Sequence, residues 1–231
     1  ADAAATATLQ DELYREQAQR STKLLGPLVY RGSEKVTASE LLVKNGRPTQ
    51  VDGNLPAWFG KQSTIDAHVA VTMLSPMPGS HVLVLGGDEK VMPTAIATVQ
   101  TAVLSAVAAA EEPIEVLIFD DLIQQFRTGA LIDEWLETLV RLGAKVVRFN
   151  GEATAGLLDS IDDAMRHKRR ALVVLLGTES SDFARVVDEE NRWRNLLREM
   201  PRRGVNVIGL WTDLRDIPGD KHALKDDYKT M

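Results

Sequence analysis

Five short apolar runs, each separated from the next by a helix-length stretch, constrain this chain more than any other feature. They are "HVLVLG" (81–86), "IEVLIFD" (114–120), "AKVVRFN" (144–150), "ALVVLLG" (171–177) and "GVNVIGLW" (204–211). Each is close to continuous in Val, Ile and Leu, the pattern of strands covered on both faces of a parallel sheet. Helical patterns fill the gaps at 93–110, 121–142, 153–168 and 184–200. Alternating strand and helix predicts crossovers over a mainly parallel sheet, a three-layer α/β domain. In open sheets of this kind ligands bind beyond the carboxyl ends of the strands. The segments to interrogate for function are therefore "GGDEK", "DDL", "NGE", "GTESS" and "WTD".

The rest of the chain is less regular. Residues 1–26 read as a helix or linker that stops at "LLGP", where Gly26 and Pro27 break the pattern. Residues 27–80 form a β-containing lead-in with the pieces "LVYRG" and "HVAVTML", closed by the turn-rich "SPMPGS". The core spans 81–217, and residues 218–231 read as a charged, mobile tail. At 44% hydrophobic and 26% charged residues, the 231-residue chain can bury a sizeable core. Its net charge of −6 argues against an overall basic nucleic-acid binder but leaves room for a local basic face. The absence of cysteine excludes disulfides and thiolate metal sites and fits a cytoplasmic setting. No apolar run approaches the roughly 20 residues of a membrane span. The opening "ADAAATATLQDELYREQ" has neither the basic nor the apolar region of a signal peptide.

The first core run leads into "GGDEKVMPT", which begins like a phosphate-binding loop. A working loop, G-x-x-x-x-G-K-[ST], wraps phosphates with backbone N–H groups, offsets their charge with a Lys and holds magnesium with a hydroxyl. Counted from Gly87, Met92 stands where the second Gly belongs, Pro93 replaces the Lys, and only Thr94 fits. Counted from Gly86, Val91, Met92 and Pro93 fill the last three positions, which is worse. Pro93 has no N–H for a phosphate but suits the first turn of a helix. Asp88 and Glu89 add carboxylates where a triphosphate would lie. As a catalytic loop it is broken.

With these stretches in view, the chain resembles the FtsK/SpoIIIE (FtsK–HerA) family of P-loop ATPases, and in particular the degenerate second ATPase-like module of tandem FtsK-type DNA translocases. The resemblance runs from about Gly26 to Leu214 and is carried by "GPLVYRGSE…LPAWFGK", "PGSHVLVLGGDE" and "NLLREMPRRGVNVIGLWTDL". It implies a RecA-like P-loop fold. It puts the Walker A lysine at Met92 or Pro93. It makes "ALVVLLGT" the Walker B strand, with Gly177 and Thr178 where the magnesium-ordering Asp and water-activating Glu belong and Glu179 one residue late. The sensor pair falls near Trp211 and Thr212, without a Gln. The resemblance thus implies a catalytically degenerate module that scaffolds or regulates a DNA-translocase-type assembly. Its partners would be an active FtsK-like ATPase domain or subunits of the same kind, with duplex DNA reached through the assembly.

Two alternatives stand beside it. One is a divergent NTPase that still binds ATP through Gly86, Gly87, Lys90 and Thr94, with Asp120 or Glu179 on Mg2+. The other is a module of a secretion-type system that binds a protein substrate. Asp120 and Asp121 end a strand, where one of them is also suited to cap the next helix. The basic stretch "RHKRR" (166–170) suits a helix C-terminus, whereas "RWRNLLREMPRR" (192–203) turns Trp193, Leu196, Leu197 and Met200 to the core and its arginines to other faces. Arg198, Arg202 and Arg203 are the candidates for a DNA or partner surface. The four histidines show no metal-ligand spacing, and His81, opening the first core strand, reads as structural.

Overall fold

The computed structural model describes residues 41, 46–61, 69–86, 90–122, 129–150, 153–178, 183, 186, 192–213, 217 and 228–230. The chain divides into two compact units. One comprises Val36–Gln62 with Val69–Met231; the other, Ala1–Lys35 with Ser63–His68, lies outside the described residues, as does the helix expected over 1–26.

The described unit is built on a six-stranded sheet. Its strands are β3 (His81–Leu85), β4 (Glu115–Asp120), β5 (Lys145–Phe149), β6 (Ala171–Leu176), β7 (Val205–Trp211) and β8 (Tyr228–Thr230), in the order β5-β4-β6-β7-β3-β8. Every pairing in it is parallel. Helices α1 (Met92–Ala109), α2 (Gly129–Arg141), α3 (Thr154–Arg166) and α4 (Arg192–Glu199) fall between the strands. All five predicted runs are strands. β4, β6 and β7 are buried at every residue, which is why their sequences do not alternate. Burial nonetheless alternates by face: Val116 and Ile118 of β4 pack with α1 and α2, whereas Leu117 and Phe119 pack with α3 and α4.

Two features depart from expectation. β5 is an edge strand and is only partly buried, as its Lys145 and Arg148 show. Tyr228–Thr230 is not part of a mobile tail: it forms β8, paired with His81–Leu83 along the side of β3 away from β7. A strand's open ladder must be satisfied by something, and a nearby short segment suffices.

Outside the sheet, β1 (Leu55–Lys61) and β2 (Val69–Leu74) form an antiparallel pair packed on α1. α1 is therefore sandwiched, with the sheet on one side and Leu55, Ala57 and Leu74 on the other. The Trp58 N–H donates to Ser105 Oγ of α1 at 2.8 Å, fixing the pair to the helix. This position explains an 18-residue helix of mean hydropathy 1.4, long and apolar enough to span a membrane by length and composition. In this fold it is a core helix apolar on both sides.

At the amino edge of the sheet, His81 is fully buried. Its Nδ1 accepts the Val207 N–H at 2.9 Å, so Nε2 carries the proton and donates to the Leu197 carbonyl at 2.6 Å. One neutral ring thus joins β3, β7 and α4. Burial holds its pKa down at about 4, against the opposing pull of the Leu197 carbonyl. The unfolded chain, with an ordinary imidazole, binds this proton at higher pH than the folded one does. The contribution of His81 to stability is therefore complete above pH 6.5 and falls as pH drops toward 4, by about 3 kcal/mol in all. Urea midpoints measured across that window should show this decline, and His81→Gln should flatten it.

Candidate functional site

The carboxyl ends of β3, β4, β6 and β7 carry the positions the sequence singled out. The Gly86 N–H extends the ladder to the Trp211 carbonyl at 2.8 Å. Directly above it sits Met92, only 1% exposed. A Cβ on Gly86 would stand 2.8 Å from Met92 Cε and 3.0 Å from its Sδ. The thioether therefore lies on the glycine where a phosphate loop would need open backbone.

The start of α1 offers little more. Pro93 has no N–H, and the Thr94 and Ala95 N–H groups are taken by the Val91 carbonyl at 2.9 and 3.0 Å. No side chain caps this end. Of the candidate nucleotide residues, Gly86 is buried, Lys90 and Thr94 are exposed, and Gly87 lies outside the described residues.

A second apolar side chain covers the end of β6. Gly177 has φ +68°, and a Cβ there would fall 2.6 Å from Leu122 Cδ2 and 2.9 Å from its Cγ. The backbone turns left-handed at this point and Leu122 fills the space that a side chain would take. Thr178 follows, 1% exposed. Glu179 lies outside the described residues.

Asp120 is reserved by other partners. Its fully buried carboxylate accepts from Arg148 Nη2 at 2.6 Å and from the Leu122 N–H at 3.2 Å. The Leu122 bond is joined by an ion pair that the sequence did not signal, and residues 123–128, where the helix to be capped was expected, lie outside the described residues. Burial pushes the Asp120 carboxyl above the usual carboxylate range, against the pull of Arg148. Arg148 also bonds Asp133 at 2.9 Å, tying β4, β5 and α2 together. No group of three or more His, Asp or Glu among the described residues is placed to hold a metal ion. Arg148 escaped notice because it lies 28 residues from Asp120 and meets it only through the register Ile118↔Arg148. Its loss strands a buried carboxylate. Arg148→Met should cost about 3 kcal/mol at neutral pH, and Asp120→Asn in the same chain should recover part of it, as read by urea denaturation.

The arginines named for a partner surface lie at the opposite edge. Arg202 and Arg203 occupy the 3-10 turn (Pro201–Arg203) that enters β7, and Arg198 the last turn of α4. Arg203 pairs with Glu199 at 3.0 Å. Arg169, from the other basic stretch, pairs with Asp163 and, at 3.5 Å, with Glu115. The fold thus separates these cations from the loop after β3 by the full length of the strands.

No family model and no curated protein matches this sequence. Among solved structures, the chain is similar to the cytoplasmic domain of EssC, with 14% identity and a TM-score of 0.51. The match covers 93% of this chain and 41% of that one, so the chain spans less than half the length of that structure. A likeness at this identity is one of fold. With the parallel sheet and its flanking helices, it makes this a RecA-like, P-loop-type α/β fold.

Proposed function

We propose that this chain is a catalytically silent FtsK-like ATPase module, acting as scaffold or regulator inside a larger cytoplasmic ATPase assembly. The observation that carries this is the apolar closure of the ligand edge: Met92 on Gly86 and Leu122 on Gly177. By the family resemblance, these are the neighbourhoods of the Walker A lysine and the Walker B aspartate. A methionine in place of a cation and a left-handed glycine in place of a carboxylate remove the charge that phosphoryl transfer needs. Its partner is then an active FtsK-like ATPase domain or subunits of the same kind. The likeness to the EssC cytoplasmic domain favours a secretion-type setting over a DNA-handling one.

The test is a titration of the full chain with a fluorescent ATP analogue, with and without Mg2+, alongside its melting temperature in MgATP. A ligand that binds only the folded state must raise the melting temperature. The expected result is no saturable binding and no shift at millimolar ATP. Saturable micromolar binding, competed by ATP and weakened by Lys90→Ala or Thr94→Ala, would overturn this proposal in favour of a divergent nucleotide site.

A further inference from the structure

We infer that the outer edge of β5, with the groove beside α2, is a self-association surface on which a second copy of this chain pairs antiparallel, strand to strand. This surface is independent of whether nucleotide binds at the other sites.

The edge is open. β5 ends the sheet, and no described strand lies beyond it. The Lys145 N–H points inward, to the Ile114 carbonyl at 2.9 Å. By the alternation of a parallel ladder, Lys145, Val147 and Phe149 serve β4, while the N–H and C=O groups of Val146 and Arg148 point away from the sheet. Folded proteins guard such edges with outward charges, because open ladders recruit other chains. Here both candidate guards are engaged in ion pairs within the chain, with Lys145 still 65% exposed. Lys145 Nζ is bonded to Glu115 at 2.7 Å, and Arg148 is turned toward Asp120 and Asp133.

The edge is also flanked by apolar surface. A groove of about 550 Å³ runs beside it, lined by Leu136, Glu137, Val140, Arg141, Val146 and Arg148. Val140 and the neighbouring Leu142 are 58% and 46% exposed.

A second copy fits this edge in one two-fold register, centred on Val147. Val146 of each chain lies opposite the partner's Arg148, and their outward groups can exchange all four backbone hydrogen bonds. Lys145 then faces the partner's Phe149, so no like charges meet across the strands. α2 leads through a short turn into β5 and runs antiparallel to it. Arg141 is therefore level with Lys145, Glu137 lies about 6 Å along, level with Val147, and Asp133 about 12 Å along. The same two-fold axis sets Arg141 against the partner's Asp133, opposite charges at both ends of the contact. It also brings Glu137 against the partner's Glu137, one repulsive pair on the axis.

That mixture makes a directional test. Sedimentation velocity of the full chain, up to roughly 100 μM, should show a dimer of about micromolar strength. Val146→Pro removes an outward donor, a change that edge strands tolerate, together with part of a side chain packed on the core, and should leave the chain monomeric with a modest drop in melting temperature. Glu137→Gln, at an exposed position, should tighten the dimer about threefold by removing the axial repulsion. It serves as the second readout should Val146→Pro disturb folding. A chain that stays monomeric throughout overturns the inference. So does a dimer that neither substitution alters, which would place association on another surface, or one that Glu137→Gln weakens.

Discussion

Gly209→Ala should be the most damaging single methyl addition in this protein, lowering stability by roughly 3–5 kcal/mol. Gly209 sits inside β7, and the Trp211 ring, two residues on and on the same face, folds back over it. A Cβ at Gly209 would fall 1.8 Å from Trp211 Cζ3 and 2.2 Å from Cη2. These are atoms of a rigid, fully buried ring, not the end of a flexible chain. The ring must leave its place against the α3 and α4 side of the sheet, and the packing it supplies goes with it. For a domain of this size the melting temperature should drop by about 10 °C. A variant that melts with the parent would mean that Trp211 is not seated on Gly209.

Gly177→Asp would restore the carboxylate that an active family member is expected to carry at the end of β6. We expect it to destabilise by roughly 3 kcal/mol and to gain no magnesium-dependent nucleotide binding. The backbone at φ +68° disfavours any side chain, by about 1 kcal/mol. The Cβ also meets Leu122 Cδ2 at 2.6 Å and the Leu122 backbone nitrogen at 3.2 Å. Leu122→Ala in the same chain should relieve the first contact but not the second, giving partial recovery. Thermal melts of the parent and both variants, with and without MgATP, are the measurement. A Gly177→Asp chain of parental stability that binds MgATP would show an edge able to reopen.

Contrast with Gly86 sharpens both cases. A Cβ there is also crowded, but by the Cε and Sδ of Met92, the mobile end of an unbranched side chain. The same nominal clash is cheap or severe according to what must move.

Much of this architecture was legible from apolar periodicity. β4, β6 and β7 are continuous runs because both of their faces are covered, and that depends on composition alone. The residues at the loop were legible too: Met92 and Pro93 stand where a phosphate loop would carry a glycine and a lysine. β8 was hidden, because a three-residue strand in the charged stretch "KDDYKT" has no periodicity to read. Its partner strand supplies the reason it is a strand. The Asp120–Arg148 pair was hidden for a related reason: sequence spacing carries no trace of which strands are neighbours.

By itself, then, the sequence determined the kind of layers and the parallel sheet, and it placed Met92 and Pro93 where a phosphate loop carries other residues. These follow from side-chain chemistry and from the local periods of strand and helix. Only the tertiary structure decided what fills the vacated positions. Met92 packs on Gly86 and Leu122 on Gly177, at an edge where strand order brings β3, β7, β6 and β4 together. It likewise decided that β5, which reads as another core strand, lies outermost among the described strands. Position within a sheet is set by pairing between distant segments, and no local pattern encodes it.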